Sequence, residues 1–235
     1  MENLTLIIPA KFESESLPIF LKEINRYTCK KIIILEKNDH KTINSIRSFK
    51  NIQIHFQKNM GYGSAIVEGI KITNTEFFCI INADGSMNPS YLNEMMNEIQ
   101  VRNLDFLFAS RYEKPEGGSD DDNLITFIGN HFFSKIGKIF FSLKITDILY
   151  TFVMGKTISF NDLKIRSLDF TLCVEFPIKA SRRGYKLGSI PSFERSRIGG
   201  KKKVNAFKDG LLILIKMVKM FFTRWKKKSI NIWNY

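Results

Sequence analysis

The sequence predicts an α/β fold with a mostly parallel central sheet and helices on both faces. Two observations predict it. Short apolar runs alternate with amphipathic segments along the first half of the chain. The run 77–81 also leads straight into a polar turn, 82–86, and open α/β sheets hold ligands at the carboxyl ends of their strands. With 235 residues, 44% of them hydrophobic, the chain can bury one large core.

The individual elements follow from the spacing of the apolar residues. Continuous short runs are typical of buried strands, and spacings of three and four residues are typical of helices. The predicted strands are 4–8, 32–35, 52–56, 77–81 and 106–108, and the predicted helices are 17–27, 65–72 and 91–101. A glycine- and acid-rich stretch, 113–122, interrupts this alternation and is predicted to be a mobile loop.

Two later segments have helical spacing and large apolar faces. One is 131–142, and the other, 207–225, is a basic amphipathic helix near the C-terminus. Its lysine stripe consists of Lys208, Lys216, Lys219 and Lys226. A narrow basic stripe beside a broad apolar face favours a helix in the lipid headgroup region, and packing on the sheet or in a homo-oligomer is the alternative. We expect one α/β domain over 1–205 and a membrane-proximal amphipathic helix and tail over 206–235.

The net charge of +13 is concentrated in one region. Between residues 195 and 228 the chain carries twelve basic residues and a single acid. This bias indicates an anionic partner, such as a membrane leaflet, a phosphorylated substrate or nucleic acid. Because the basic residues alternate with aliphatic side chains rather than stacking aromatics, and no nucleic-acid motif occurs, we expect no nucleic-acid partner.

The N-terminal residues and the cysteines predict a protein on the cytosolic side of the membrane. The first residues lack a basic region, and the apolar stretch 4–10 is too short for a signal peptide. No run of about 20 apolar residues is present. Three scattered cysteines favour a reducing compartment. We therefore expect a cytoplasmic protein that is peripheral on the cytosolic face of the membrane.

Asp84 is the strongest candidate for a functional residue. A carboxylate at the end of a buried strand suits an oxygen-seeking cation such as Mg²⁺ or Mn²⁺. We expect Asp84 to bind the metal directly or through water, with Asn82 and Ser86 as weaker contributors. The structural alternative is an Asx-turn before Gly85, in which the carboxylate only bonds its own backbone.

Taken in order and spacing, several motifs resemble those of family 2 glycosyltransferases, which have the Rossmann-like GT-A fold. They are Pro9-Ala10-Lys11-Phe12-Glu13-Ser14-Glu15-Ser16-Leu17, Asn59-Met60-Gly61-Tyr62-Gly63-Ser64-Ala65, Asn82-Ala83-Asp84-Gly85, Ala109-Ser110-Arg111-Tyr112 and Asp147. The basic run 190–201 resembles the closing loop of the branch that includes dolichyl- and polyprenyl-phosphate sugar synthases. The resemblance implies metal-assisted, inverting transfer of a sugar from a nucleotide-diphosphate donor to a polyprenyl phosphate or glycan acceptor at the cytosolic membrane surface.

The resemblance also implies which residues bind the donor: Pro9, Ala10, Glu13, Glu36, Asn59, Gly61, Gly63, Asn82, Ala83 and Asp84. Glu13 resembles a carboxylate that binds the nucleotide, and its alternative role is to stabilise a helix start. Glu36 replaces the usual Asp, which leaves the choice between UDP and GDP open. Gly61 and Gly63 would let the backbone approach a diphosphate, or would simply form a turn into the helix.

Asp147 and Arg111 are the catalytic candidates that the resemblance implies. Asp147 would be a base if the acceptor is a hydroxyl, or an organiser if the acceptor is an already anionic phosphate. Arg111 would act near the reacting centre or belong to a structural ion pair. The segment 150–152 departs from the small residues usual in the family, so the acceptor stays open.

The basic residues after residue 194 are the candidates for phosphate binding. Four of them, Arg195, Arg197, Lys201 and Lys202, surround Gly199-Gly200 and would close over a diphosphate or an acceptor phosphate. A solvated basic face is the alternative. For the whole protein, the alternative to an enzyme is a degenerate GT-A scaffold that binds a membrane or an anionic ligand without catalysis.

Overall fold

The computed structural model describes residues 1–200 and 205–223. Its strands are β1 (Leu4–Pro9), β2 (Lys30–Leu35), β3 (Gln53–Phe56), β4 (Phe77–Ile80), β5 (Phe106–Ser110), β6 (Gly118–Ser119), β7 (Val153–Lys156), β8 (Leu187–Pro191) and β9 (Phe193–Glu194). Its helices are α1 (Ser16–Ile24), α2 (His40–Ser45), α3 (Tyr62–Lys71), α4 (Leu92–Val101), α5 (Leu124–Phe141), α6 (Thr157–Asp162), α7 (Leu172–Arg182) and α8 (Ala206–Phe222), with a 3-10 turn at Pro89–Tyr91. The predicted α/β alternation is confirmed through β5.

The central sheet has the strand order β3-β2-β1-β4-β7-β5-β8. All neighbouring pairs are parallel except those of β7, which runs antiparallel to β4 and β5. The chain builds outward from β1 through β2 to β3 and then returns to place β4 on the other side of β1. The carboxyl ends of β1 and β4 therefore flank a topological switch point, where sheets of this kind bind ligands.

Each face of the sheet carries its own apolar core. One core packs beneath α1, α2 and α4 and includes Phe20, Leu92 and Phe152. The other packs beneath α3, α5, α6, α7 and α8 and includes Phe106 and Phe176, whose rings meet edge to face at 4.9 Å. Burying a side chain of this size contributes about 1.5–3 kcal/mol. Packing on both faces therefore fixes the position of the sheet edge from which the polar turns leave.

The stretch 113–122, predicted to be a mobile loop, is tied to the rest of the fold. Its strand β6 pairs in parallel with β9, with Gly118 opposite Phe193 and Ser119 opposite Glu194. The Asp120 N–H extends the ladder by donating to the Glu194 carbonyl at 2.9 Å. The sequence offers no apolar run here because both strands are only two residues long.

The predicted basic amphipathic helix is present as α8, but its buried and exposed faces differ from those expected from residue spacing alone. Its core side is Ile213, Met217 and Met220, so much of the apolar face expected to contact a membrane is exposed. Lys216 does not join an exposed lysine stripe, because its Nζ donates to the buried Glu175 at 2.8 Å. Across the described residues, none of the helices is both long and apolar enough for a bilayer crossing.

Glu175 joins α7 and α8 to the loop that precedes α7. Its carboxylate accepts bonds from Lys179 at 2.6 Å, Lys216 at 2.8 Å and the Ser167 N–H at 2.8 Å. Burial alone would raise the pKa of Glu175, but the two lysines and Ser167 outweigh it and lower the pKa to about 2. The domain boundary proposed at residue 206 coincides with the start of α8, but the division itself stays a prediction.

Candidate active site

The predicted donor-binding residues leave the sheet at one edge. Just past β1, the Ala10 N–H donates to the Ile34 carbonyl of β2 at 2.9 Å, and just past β4 the Ile81 N–H donates to the Ile7 carbonyl at 3.0 Å. These bonds extend the parallel ladders and fix where the polar turns begin. The residues at this edge are Pro9, Ala10, Glu13, Glu36, Asn82, Ala83, Asp84 and Ser86.

Asp84 forms the Asx-turn that was the structural alternative to metal binding, and it still keeps one oxygen for another partner. Its Oδ1 accepts from the Ser86 N–H at 3.1 Å and from Ser86 Oγ at 2.9 Å. Gly85 allows this tight turn because its φ is +76°, and Ile198 lies where a Cβ would project. The second oxygen, Oδ2, is 3.6 Å from Arg197 Nη1. The structural and functional interpretations of Asp84 therefore use different oxygens of the same carboxylate.

Asn82 is held by a tyrosine that sequence reasoning did not select. Tyr62 donates to Asn82 Oδ1 at 2.9 Å, and its hydroxyl is also 2.6 Å from Thr151 Oγ1. The Tyr62 ring stacks on Phe170 at 4.8 Å. Burial raises the pKa of Tyr62 far above its usual value, so the hydroxyl stays protonated. The position of Tyr62 between two glycines is the only signal that the sequence carried.

Gly61 and Gly63 make room for a neighbouring loop of the protein. A Cβ on Gly61 would lie 2.2 Å from the Leu168 carbonyl oxygen, and one on Gly63 would lie 2.6 Å from the Asp169 carbonyl oxygen. The Ser64 N–H donates to the Leu168 carbonyl at 3.0 Å. The glycines thus let the loop before α7 close against the start of α3, and their predicted contact with a diphosphate stays a prediction.

Asn59 lies on the exposed turn before α3, where Glu68 organises the backbone. The Glu68 carboxylate accepts from the N–H groups of Lys58 at 2.9 Å and Asn59 at 3.0 Å, and from Ser64 Oγ at 2.9 Å. Burial would raise the pKa of Glu68, but these donors together lower it to about 2. Asn59 therefore shapes this turn through its main chain.

Glu13 and Glu36 are both largely buried, and each has a local partner. Ser16 Oγ donates to Glu13 Oε2 at 2.6 Å, and Lys11 Nζ is 2.7 Å from Glu36 Oε1. Gly200 of the basic loop lies against Glu13, since a Cβ there would be 3.2 Å from Glu13 Oε2. Glu13 is therefore placed between the end of β1 and the basic loop.

Asp39 is a buried carboxylate at the same edge that sequence reasoning missed. Its Oδ2 accepts from the Phe12 N–H at 2.7 Å, and its Oδ1 accepts from the Thr42 N–H at 3.3 Å. Asp39 thus caps α2 and also holds the loop after β1, where Phe12 has a positive φ of 55°. An acid just before a short helix was the available signal, but its long-range bond to Phe12 could not be read from the sequence.

Arg111 and Asp147 form a buried bidentate ion pair. Arg111 Nε donates to Asp147 Oδ2 at 2.7 Å, and Nη2 donates to Oδ1 at 3.0 Å. Arg111 is 8% exposed and Asp147 only 1%. Burial alone would lower the pKa of Arg111, but Asp147 outweighs it and raises the pKa well above its usual value. Both oxygens of Asp147 therefore accept bonds from Arg111, and its role as a base or an organiser stays a prediction.

Glu194 and Tyr150 also contact Arg111, as do Asp122 at 3.7 Å and the Tyr112 ring at 5.2 Å. Glu194 Oε2 accepts from Arg111 Nη1 at 3.1 Å and from Ser119 Oγ at 2.6 Å. The guanidinium carbon lies 4.6 Å from the centre of the Tyr150 ring, which is cation–π geometry. Burial raises the pKa of Glu194 although Arg111 opposes this. Sequence reasoning missed Glu194, which lies 83 residues from Arg111 along the chain.

The basic loop after β9 lies across the turn that carries Asp84. Arg195 makes a bidentate pair with Glu23 at 2.8 and 3.1 Å and donates to the Gly85 carbonyl at 2.8 Å. Arg197 makes a bidentate pair with Asp121 through Nε at 3.1 Å and Nη2 at 2.7 Å. Lys201 and Lys202, also predicted to bind phosphate, lie outside the described residues.

The carboxylate of Asp84 is compatible with a divalent cation. Within residues 1–200 and 205–223, no three acidic, cysteine or histidine side chains converge as a complete metal site. Mg²⁺ is commonly bound by one or two carboxylates together with substrate phosphates and water. Asp84 Oδ2, which the turn leaves unused, suits this kind of binding, and the Ser86 hydroxyl donates to Oδ1. The residues present therefore fit a cation that is shared with a substrate.

A family model described as "Glycosyl transferase family 2" matches residues 5–164. Among curated relatives, an uncharacterized glycosyltransferase of Mycobacterium bovis is 24% identical over 214 residues, which cover 91% of this chain and 95% of the relative. An uncharacterized glycosyltransferase of Mycobacterium tuberculosis matches with the same identity and coverage. The match thus extends over nearly the full length of both relatives.

Two solved structures share the fold at low sequence identity. Glucosyl-3-phosphoglycerate synthase from Mycobacterium tuberculosis, in complex with Mn²⁺, UDP and phosphoglyceric acid, has a TM-score of 0.70 at 9% identity, covering 95% of this chain and 80% of that one. Mannosyl-3-phosphoglycerate synthase from Rubrobacter xylanophilus has a TM-score of 0.66 at 11% identity, covering 97% of this chain and 78% of that one. At these identities, the likeness establishes the fold.

Proposed function

Since the chain belongs to glycosyl transferase family 2, we propose that it transfers a sugar, with inversion, from a nucleoside-diphosphate donor to a lipid-linked phosphate at a membrane surface. One observation carries the proposal. Asp84 lies at the carboxyl end of β4, beside the switch point of the sheet, and the arginines of the basic loop lie directly over it. A carboxylate facing guanidinium groups is suited to hold a cation and a diphosphate together.

We propose that the donor and its cation bind at this edge. Asp84 would hold Mg²⁺ or Mn²⁺, which supplies positive charge that stabilises the leaving nucleoside diphosphate. Arg197 and Arg195 would add hydrogen bonds to the phosphates, because planar guanidinium groups bind phosphate in a bidentate manner. The glucosyl-3-phosphoglycerate synthase structures contain UDP with Mn²⁺ or Mg²⁺, which supports UDP as the first nucleotide to test.

The buried state of Asp147 supports a phosphate acceptor. A hydroxyl acceptor needs a base to remove its proton, but both oxygens of Asp147 are bound to Arg111. A phosphate monoester, with a second pKa near 6, is already largely anionic at pH 7 and needs positioning rather than deprotonation.

An exposed apolar surface on α5 and α8 supports a lipid-linked acceptor. The two helices pack together through Phe140 and Phe221, whose rings meet at 5.5 Å. The exposed side chains of this α5–α8 surface are Leu124, Ile125, Phe127, Ile128, Phe132, Ile139, Phe140, Phe207, Leu211, Leu212, Ile215, Val218, Phe221 and Phe222. Such a concentration is typical of an interaction site. The lysines that lie near this surface in the sequence favour binding to an anionic leaflet. We propose that the surface docks on the cytosolic face of the membrane.

Replacing Leu211 with Glu is expected to weaken binding to phosphatidylserine-containing vesicles about tenfold or more. Leu211 is 60% exposed on α8, so the change adds a negative charge to the α5–α8 surface without opening the core. Vesicle flotation at low and high salt measures the effect. Val101→Glu is the matched control, because Val101 is an exposed apolar residue of α4 on the opposite face of the sheet.

Equal flotation of the wild type and Leu211→Glu would contradict membrane docking by this surface. A dimer of the wild type that becomes monomeric in Leu211→Glu, without vesicle binding by either protein, would instead assign the α5–α8 surface to a second copy of the chain.

The donor and acceptor are expected to be identified by two measurements on the wild type. Calorimetric titration of UDP and GDP, each with and without Mn²⁺, should show binding of one nucleotide that depends on the ion. Transfer from a panel of UDP- and GDP-linked sugars should then favour polyprenyl phosphate in vesicles over 3-phosphoglycerate and over a neutral disaccharide. Transfer to 3-phosphoglycerate alone would contradict the lipid acceptor, and transfer to the disaccharide alone would contradict any phosphate acceptor.

A further inference from the structure

The backbone of the basic loop fixes the position of Arg197 above Asp84. On one side of Arg197, the Arg195 N–H donates to the Ser86 carbonyl at 2.9 Å. On the other side, the Ile198 N–H donates to the Asp84 carbonyl at 2.8 Å. Ile198 also fills the space above Gly85. Because Arg195 and Ile198, on either side of this arginine, are both bonded to the turn after β4, the Arg197 backbone has a defined place over the carboxylate.

The Arg197 guanidinium bridges carboxylates from two parts of the chain. Its Nη1 lies 3.6 Å from Asp84 Oδ2, while Nε and Nη2 hold Asp121 of the loop before α5 at 3.1 and 2.7 Å. Asp84 Oδ1 is bonded to Ser86, so Oδ2 is the oxygen that the turn leaves for a cation. The guanidinium therefore lies beside the same oxygen that a divalent ion would need.

We propose that Arg197 and the divalent cation compete for Asp84, and that the nucleoside diphosphate ends the competition. This rests on the proposed function. Without nucleotide, two positive groups beside one carboxylate oxygen repel each other, so Arg197 holds the position and disfavours the ion. When a diphosphate binds, its negative oxygens lie between the divalent ion and the Arg197 guanidinium and neutralise both. Arg197 then contacts the phosphates and remains paired with Asp121. The loop thus favours loading of the ion together with the nucleotide.

The test is a titration of Mn²⁺ into the full-length protein, followed by electron paramagnetic resonance of the free ion. Without nucleotide, Arg197→Gln is expected to bind Mn²⁺ about tenfold more tightly than the wild type, within the range usual for coupled sites. With saturating Mn²⁺, the same variant is expected to bind UDP or GDP, whichever the wild type prefers, about tenfold more weakly by calorimetry. The competition therefore predicts that Arg197→Gln binds Mn²⁺ more tightly than the wild type but binds the nucleotide more weakly.

Two further variants make the outcomes distinct. Arg47→Gln removes the same charge from an exposed position outside the basic loop, so its Mn²⁺ affinity should match the wild type. Asp84→Asn in the Arg197→Gln background should lose the tight Mn²⁺ site. Equal Mn²⁺ affinity of the wild type and Arg197→Gln would overturn the competition and leave the metal site intact. Absence of Mn²⁺ binding in every variant would overturn the metal site itself.

Discussion

Replacing Asp84 with Asn is expected to lower kcat for sugar transfer roughly 10²- to 10³-fold while the fold stays intact. The amide can still accept the two bonds from Ser86, so the turn before Gly85 survives. What disappears is the negative charge on the oxygen that faces the basic loop. A bound metal ion typically contributes several kcal/mol of charge stabilisation, and about 1.4 kcal/mol corresponds to a tenfold change in rate. The measurement is kcat at saturating donor and Mn²⁺, with circular dichroism to verify folding.

The asparagine variant separates the two interpretations of Asp84, because Asn and Asp serve equally well in an Asx-turn. If Asp84 had only a structural role, Asp84→Asn would keep nearly full activity. Asp120→Asn is the matched control, since it removes the charge of an exposed carboxylate in the loop before α5 and should change kcat less than twofold. A wild-type rate in Asp84→Asn would therefore contradict the metal role and leave the turn as the reason for an acid here.

The first half of the fold could be predicted because local sequence patterns and tertiary structure agree there. The run Leu4-Thr5-Leu6-Ile7-Ile8 is apolar because β1 is covered on both faces, and the same holds for β4. The antiparallel strand β7 was missed because it contains Gly155 and follows no alternating pattern. Its place between β4 and β5 depends on long-range pairing, which a local pattern does not contain.

Helix α7 was missed for a different physical reason. It contains Pro177 and the charged residues Glu175 and Lys179, which obscure the apolar period, yet all three are buried. Glu175 and Lys179 are tolerated in the interior because they bind each other and because Glu175 also binds Lys216. Where charged groups neutralise one another inside a fold, hydrophobic periodicity no longer identifies the element.

The active site shows the same division between local and long-range information. Asp84 could be selected because strand, acid and glycine are adjacent in the sequence. Asp121 and Glu194 could not, because their partners Arg197 and Arg111 lie 76 and 83 residues away. Their roles follow from the pairing of β6 with β9, two strands too short to leave a pattern.

Replacing Arg111 with Met is expected to lower the free energy of unfolding by about 3–5 kcal/mol at pH 8, the usual cost of removing one partner from a buried ion pair. Asp147 and Glu194 would then be buried without the cation that they share. Burial already raises the pKa of Glu194 in the intact protein, and loss of Arg111 would raise it further. A carboxyl whose pKa is raised on folding contributes its full stability below its unfolded pKa, which is about 4.3 for Glu. That contribution is lost as the pH rises through the folded pKa.

The variant should therefore be closer to the wild type at pH 5 than at pH 8, which urea denaturation at the two pH values measures. Arg102→Met is the matched control, because Arg102 is about half exposed, pairs with Glu98 at 3.5 Å and should change stability by less than about 1 kcal/mol. A loss of equal size at both pH values would mean that packing of the arginine on Tyr150, rather than charge, stabilises this centre. A loss below about 1 kcal/mol at pH 8 would contradict a structural pair, because burying a carboxylate without a partner destabilises the folded state by more than this.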